Sequence, residues 1–261
     1  MTIPVQALIP SWRYKLPTVP LTAELNVKSD LSPKDGMFKE GLEEHYRFVG
    51  RSALETVRMA MLATGKTAFQ NILDLPCGHG RVMRALKAAF PNAKLTACDL
   101  DRRGVDFCAE NFGALPDYSA PSADQIKLEG GYDLIWCGSL LTHLNAEDCR
   151  AFLAIFQNLL DPDGVMIVTT CGRRVVNRFE AGTHTYGLGE DSIPALLDSY
   201  KCSGFGYADY PKQRGYGISV CSPGWLMAEI AKLPDVSVAA FSEHFWAQHQ
   251  DVTACVRSAT V

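Results

Sequence analysis

Between Asn71 and Leu86 the chain reads NILDLPCGHGRVMRAL, in which an acid, Asp74, closes an apolar run and Pro76, Gly78 and Gly80 follow at alternate positions. Glycines here let a ligand approach the backbone, and a following helix offers unpaired N–H groups and a positive dipole end to a carboxylate or phosphate. A nicotinamide or flavin dinucleotide would favour a third glycine in the pattern G-x-G-x-x-G, to let the helix pack closely. Met83 stands there instead, which counts against a dinucleotide. Asp99 ends the next apolar run, with Leu100 beside it. Its two oxygens can accept both hydroxyls of a ribose, and the same geometry rejects a 2′-phosphate. The competing role for Asp99 is a cap on a helix that starts near Asp101. Asp74 would orient the glycine loop, or meet an amino group of the ligand through water. Cys77 and His79 alternate with the glycines, yet two ligands without a third or fourth make a poor metal site, and no metal is expected.

Further along, His143 lies in SLLTHLNAED, and His249 stands two residues before Asp251 in WAQHQDV. Imidazole changes charge near neutral pH, which suits it to proton transfer. Arg173, Arg174 and Arg178 form the tightest basic group, and a solvated helix face is the expected explanation. Residues 172–217 carry His184 and five tyrosines, Tyr186, Tyr200, Tyr207, Tyr210 and Tyr216, among glycines. A long insert of this kind reads as a lid or acceptor-binding cover, or as a surface subdomain with a small core of its own.

These residues need elements to position them, and hydrophobic periodicity supplies the elements. Residues 1–45 contain Pro4, Pro10, Pro17, Pro20 and Pro33, which rule out a long helix and suggest an arm or cover. A helical stripe then spans residues 52–64 and stops at Gly65. Strands are predicted over 71–75, 94–100, 114–119, 132–141 and 165–170, with helices over 81–90, 102–113, 146–160 and 223–233 between or after them. Strands joined by helices require right-handed crossovers and a parallel sheet covered on both faces. The last two strands, 236–246 and 252–257, are separated by AQHQD, too short for a crossover, and must form an antiparallel hairpin. The expected fold is α/β: a doubly wound, mostly parallel sheet finished by a C-terminal antiparallel hairpin.

A chain of 261 residues with a formal net charge of -4 can bury one large core, and it lacks the clustered cations that bind polyanions. Nucleic acid is therefore not an expected partner. Nine cysteines without a CxxC pair fit a reducing compartment, and no leader or membrane-length apolar run appears, so a cytoplasmic protein is expected. Its oligomeric state, monomer or dimer, is open.

The run Asp74, Pro76, Gly78, Gly80, followed by Asp99, resembles the D/E-x-G-x-G-x-G signature and ribose-binding acid of class I methyltransferases. The resemblance covers residues 45–260, with departures at Pro76, where a glycine is usual, and at the third strand, which lacks the usual acid for adenine. It implies a seven-stranded Rossmann-like domain over 46–261, with S-adenosylmethionine as cofactor and S-adenosylhomocysteine as product. It further implies contacts of Cys137, Gly138 and Ser139 with the methionine part, and of the backbone near Ser119 with adenine. Tyr46 would shield the sulfonium and Arg51 would pair with the carboxylate, unless their helix merely packs at the surface. Methyl transfer mainly positions two reactants, but a hydroxyl acceptor needs a base. His143 is the first candidate for it, and His249 could complement or replace His143. A small-molecule acceptor methylated on oxygen, such as a sugar or glycan precursor or a secondary metabolite, is the leading expectation. A nicotinamide-dependent Rossmann oxidoreductase and a catalytically silent nucleoside-binding module are the rivals.

Overall fold

A computed structural model describes residues 25–258. Helix α1 (Glu43–Thr64) leads into β1 (Asn71–Asp74), α2 (Met83–Ala89), β2 (Lys94–Asp99), α3 (Arg102–Phe112), β3 (Leu115–Tyr118), β4 (Tyr132–Cys137), α4 (Ala146–Leu159) and β5 (Leu160–Thr170). There follow α5 (Arg173–Glu180), α6 (Ile193–Ser203), β6 (Phe205–Tyr210), β7 (Gln213–Cys221), α7 (Pro223–Ile230), β8 (Val236–Trp246) and β9 (Gln250–Arg257). Seven strands form one sheet in the order β3-β2-β1-β4-β5-β9-β8. All neighbours from β3 to β5 pair in parallel, whereas β9 runs antiparallel to both β5 and β8. The mostly parallel sheet and its closing hairpin are as the sequence led us to expect.

Alternation along each strand divides the core. Ile72, Leu134, Val165 and Ile167 face the layer that holds α1, α2 and α3, while Leu73, Ile135, Met166 and Val168 face the layer built on α4 and α7. Successive strand residues point to opposite faces, so two-sided burial demands the unbroken apolar runs seen in the sequence. Each fully buried aliphatic side chain contributes about 1.5–3 kcal/mol. Asp101 caps α3 by accepting from the Arg103 amide, and Gly113 ends it in the left-handed region.

Strand β4 stops at Cys137 rather than residue 141, because Gly138 and Ser139, the latter at φ 62°, turn the chain into a 3-10 turn over Leu141–His143, and three further elements differ from expectation. Helix α1 starts nine residues earlier than residue 52, because Glu43 and Glu44 favour its positive end and Tyr46 continues its buried stripe through Val49, Ala53 and Val57. Helix α2 begins at Met83 rather than residue 81, since Gly80, at φ 79°, keeps the loop turning. Strand β5 absorbs the expected DPDG turn and runs from Leu160, with an irregular register opposite Tyr132 and Leu134. The insert is more ordered than a loop: β6 and β7 form their own antiparallel pair, over a small core of Val175, Phe179, Leu196 and Val220. Of the expected N-terminal arm, residues 1–24 lie outside the described residues. The described part is tied down where Asp35 accepts from the Tyr46 hydroxyl at 2.6 Å.

Candidate active site

Chain order reverses between β1 and β4, and the loops at the carboxyl ends of these strands form the mouth where an open α/β sheet holds its ligands. Asp74 ends β1 there. Its side chain is 1% exposed, and neither carboxylate oxygen has a hydrogen-bond partner. Burial, followed by the nearby Asp99 charge, holds its pKa well above the usual carboxylate range. A buried orphan of this kind calls for a cationic or donor group that binds it.

The two loop glycines have separate jobs. Gly78 adopts φ +51°, and a Cβ there would meet nothing within 4 Å, so this glycine leaves free space above the loop. Gly80 serves packing, because a Cβ there would lie 2.4 Å from the Phe112 ring. Gly104 in α3 takes over the close helix approach that a third loop glycine would otherwise permit, since its Cβ would lie 2.3 Å from the Gly78 carbonyl oxygen. Met83 is thereby free to be fully buried in the core. Arg84 clamps the loop from outside: its Nε donates to the Gly80 carbonyl, and Nη1 donates to the carbonyls of Lys28 and Asp30.

Asp99 accepts from the Gly78 amide at 2.8 Å and from the Asp101 amide at 2.9 Å. The cap of α3 is Asp101, so Asp99 remains at the groove with lone pairs to offer hydroxyl donors. Leu100 is 59% exposed beside it, an apolar wall for a flat ring. The Ser119 amide is spent on the Asp99 carbonyl at 3.0 Å, which withdraws this donor from adenine. Burial, followed by the Asp99 charge, raises the pKa of Tyr216 on β7, whose ring packs on His143 and Tyr210.

Cys77 and His79 point away from the groove. Cys77 is part of the core, and the His79 Nε2 faces Asp101 at 3.3 Å, with its ring near Phe107. Pro76 remains half-buried beside them. Among the described residues no group of three or more His, Cys, Asp or Glu side chains gathers as a metal site.

The β4 end continues into a second space. Cys137 is buried, and a Cβ on Gly138 would lie 2.8 Å from Trp136 Nε1 and 2.9 Å from Trp246. Ser139, at φ 62°, donates its amide to Thr169 Oγ1, and Gln250 bridges the hydroxyls of Thr169 and Ser139. Above this network opens a cavity of about 490 Å³ lined by Ser139, α1, α5, Tyr186 and the β8–β9 turn. The wall from α1 is His45, Phe48 and Val49, pinned by Trp246 Nε1 donating to the Val49 carbonyl and the Ala247 amide donating to Ser52 Oγ. Tyr46 and Arg51 do not line this cavity. Both line a separate cavity of about 300 Å³ with Arg81, Arg84 and residues 25–29, where Tyr46 spends its hydroxyl on Asp35 and Arg51 is exposed. Helical phase is the reason: residues 45, 48 and 49 share one face, and residues 46 and 51 project elsewhere.

The two candidate histidines are separated. His143 packs under the insert, with Nδ1 2.8 Å from the Gly217 carbonyl and its ring stacked on Tyr216 at 5.0 Å. Burial lowers its pKa. His249 lines the cavity, and its ring stacks on Tyr186 at 5.6 Å. Burial first, then Arg178 and Arg174, push its pKa down to about 4. Asp251 does not orient it; its Oδ1 accepts from the His244 amide, closing the turn. The basic group also divides. Arg173 is a solvated partner of Glu243, but Arg174 and Arg178 turn into the cavity with Arg81 opposite. The i,i+4 spacing of Arg174 and Arg178 was the available signal; nothing local told which way that face would turn.

A buried acid under a glycine loop, a second acid at the end of the next strand and a strand order ending in an antiparallel hairpin are the arrangement expected of a class I S-adenosylmethionine-dependent methyltransferase domain. Residues 73–166 match the family described as Methyltransferase domain. A 118-residue stretch is 28% identical to a malonyl-[acyl-carrier protein] O-methyltransferase of Hahella chejuensis, covering 44% of this chain and 41% of that protein's length. Among solved structures, the fold is similar to that of a SAM-bound amino pentose methyltransferase from Micromonospora echinaspora, at TM-score 0.56 and 14% identity over 85% of this chain and 98% of that one. It is also similar to an S-adenosylmethionine-dependent methyltransferase from Clostridium acetobutylicum, at TM-score 0.53 and 10% identity over 82% and 92% of the two chains.

Proposed function

We propose that this protein transfers a methyl group from S-adenosylmethionine to an oxygen of a small-molecule acceptor held in the cavity above Ser139. The observation that carries this reading is the orphaned Asp74 carboxylate beneath the open space at Gly78, with Asp99 at the next strand end. The residues fit the cofactor by chemistry. Asp74 would meet its ammonium group directly or through water, Asp99 its ribose hydroxyls, Leu100 its ring, and Arg81 on the rim its carboxylate. When bound, the cofactor supplies an electrophilic methyl group for in-line displacement.

The protein's own part is to orient the acceptor and accept its proton. His249 is the base we assign, because it lines the cavity as a neutral imidazole at pH 7 with no acidic partner. His143, held by Gly217 and Tyr216, positions the insert. Titration calorimetry with S-adenosylmethionine, S-adenosylhomocysteine, NADH and NADPH tests the cofactor. Micromolar affinity for the first two alone is expected, and selective binding of a nicotinamide nucleotide would overturn the reading. In turnover with an acceptor found by screening, His249→Ala should lower kcat by roughly 10²–10⁴-fold while leaving S-adenosylhomocysteine affinity intact.

A further inference from the structure

The cavity has a charge that methyl transfer from a sulfonium does not itself require. Arg174 and Arg178 lie one turn apart on α5, so their guanidinium groups share one face. They line the space with Arg81, His45 and His249, and no Asp or Glu stands among its lining residues. Arg178 Nη1 donates to the Tyr186 hydroxyl at 2.7 Å, which orders one fork. Arg174 makes no ion pair among the described residues, and its Nε is buried without a hydrogen-bond partner. The carboxylates of the neighbouring hairpin are committed elsewhere, Glu243 to Arg173 and Asp251 to the His244 amide. Concentrated, unpaired, partly desolvated guanidinium groups are costly unless an anion completes them, and a planar fork matches carboxylate and phosphate oxygens.

We propose that the acceptor carries an oxyanion, a carboxylate or a phosphate, and that Arg174 and Arg178 bind it as an anchor. The inference rests on the methyltransferase reading and narrows its acceptor. The anchored group is not the methylated atom, because pairing with two guanidinium groups withdraws the electron pairs a nucleophile needs. An adjoining hydroxyl is thereby presented toward His249. The deprotonated anchor would also offset the positive field now acting on that imidazole.

The test uses the full-length protein saturated with S-adenosylhomocysteine, titrated with inorganic phosphate and separately with malonate. Chloride holds the ionic strength constant, and tryptophan fluorescence reports on Trp246 in the cavity wall. Saturable binding of at least one anion is expected, weakened roughly ten- to hundredfold in Arg174→Gln/Arg178→Gln, as loss of charge-assisted hydrogen bonds implies. The tighter probe tells phosphate from carboxylate. S-adenosylhomocysteine affinity, measured on the same samples, should stay within about twofold and so reports that the variant is folded. Should the double variant fail that check, Arg174→Lys/Arg178→Lys keeps the charges and loses the forks, and an intermediate affinity is expected. No saturation above the chloride control, or anion binding unchanged in a folded variant, overturns the proposal. A wild-type protein that fails to bind S-adenosylhomocysteine instead overturns the methyltransferase reading, which separates the two failures.

Discussion

Asp74 carries a carboxyl group that folding strips of water and leaves without a partner, and this has consequences that can be measured without any acceptor. Its folded pKa is raised, so between an unfolded value of about 4 and that raised value the native state holds a proton that the unfolded chain releases. Stability from this group is therefore present at low pH and is lost as pH rises through the folded pKa. Asp74→Asn should flatten that decline in denaturant unfolding at a series of pH values. The same variant should bind S-adenosylhomocysteine at least about tenfold more weakly, because a charge-assisted hydrogen bond of about 1.5–3 kcal/mol is lost. His249 acts in the opposite sense. Its pKa, pushed down to about 4, disfavours protonation in the folded state, so its contribution is present above about 6.5 and is lost as pH falls toward 4. His249→Gln should raise acid stability across that window. An unchanged acid limb would show that the imidazole titrates as it does in water. These acids and imidazoles were legible from residue type and from their places at strand ends. The facing of Arg174 and of Tyr46 was not, since an i,i+4 pattern fixes which residues share a face and leaves open what that face meets.

At the scale of elements, the glycine loop is set by α3 from below and by α1 from above. A Cβ at Gly50 of α1 would come 2.5 Å from the Arg81 carbonyl oxygen, and one at Gly104 of α3 would come 2.3 Å from that of Gly78. Both obstacles are backbone, which cannot rotate aside. Gly104→Ala gains about 1 kcal/mol of helix propensity and meets an overpacking cost of about 1–3 kcal/mol, so a net loss of stability is expected. Gly78→Ala meets no atom within 4 Å and carries only the left-handed backbone cost of about 1–2 kcal/mol, yet its methyl group enters the ligand's space. Thermal unfolding and calorimetry together should then separate the pair, with binding lost out of proportion to stability in Gly78→Ala alone. Equal ratios in both variants would mean that Gly78 serves packing and not the ligand. The alternation of strand and helix, the crossover rule and the short final turn made the sheet legible. The pairing of β6 with β7 was hidden among glycines and tyrosines, where neither period 2 nor period 3.6 dominates. The early start of α1 was masked by proximity to the prolines, although Tyr46 continues the stripe of Val49, Ala53 and Val57.

For the whole molecule, the sheet joins two half-sites that different parts of the chain supply. β1, β2 and the loop they position carry Asp74 and Asp99, whereas β4, β5 and the hairpin floor the cavity, and the insert meets the sheet's mouth through Tyr216 on His143 and Tyr186 beside His249. The insert is fastened to the sheet by the Cys221 amide to the Cys171 carbonyl, Ser219 Oγ to the Leu141 carbonyl, His143 to Gly217 and Arg173 to Glu243, and by Phe205, which packs in the core of the α4 and α7 layer. The part of it around α5, Leu188 and α6 packs on a small core of its own, so a bound ligand can order that part without any change in the sheet. A ligand that bridges the half-sites should therefore stabilise the fold and order the insert together. At a concentration of one hundred times Kd, S-adenosylhomocysteine adds about 2.7 kcal/mol, which for a domain of this size means a rise in Tm of roughly 5–11 °C. NADH and NADPH should give none. Hydrogen exchange should slow at Gly78 and Asp99 on addition of S-adenosylhomocysteine and, on further addition of the tighter oxyanion, around Arg174–Arg178 and Tyr186. Slowing confined to the glycine loop under both conditions would show that the insert does not respond to the cavity and is held fixed whether or not the cavity is filled.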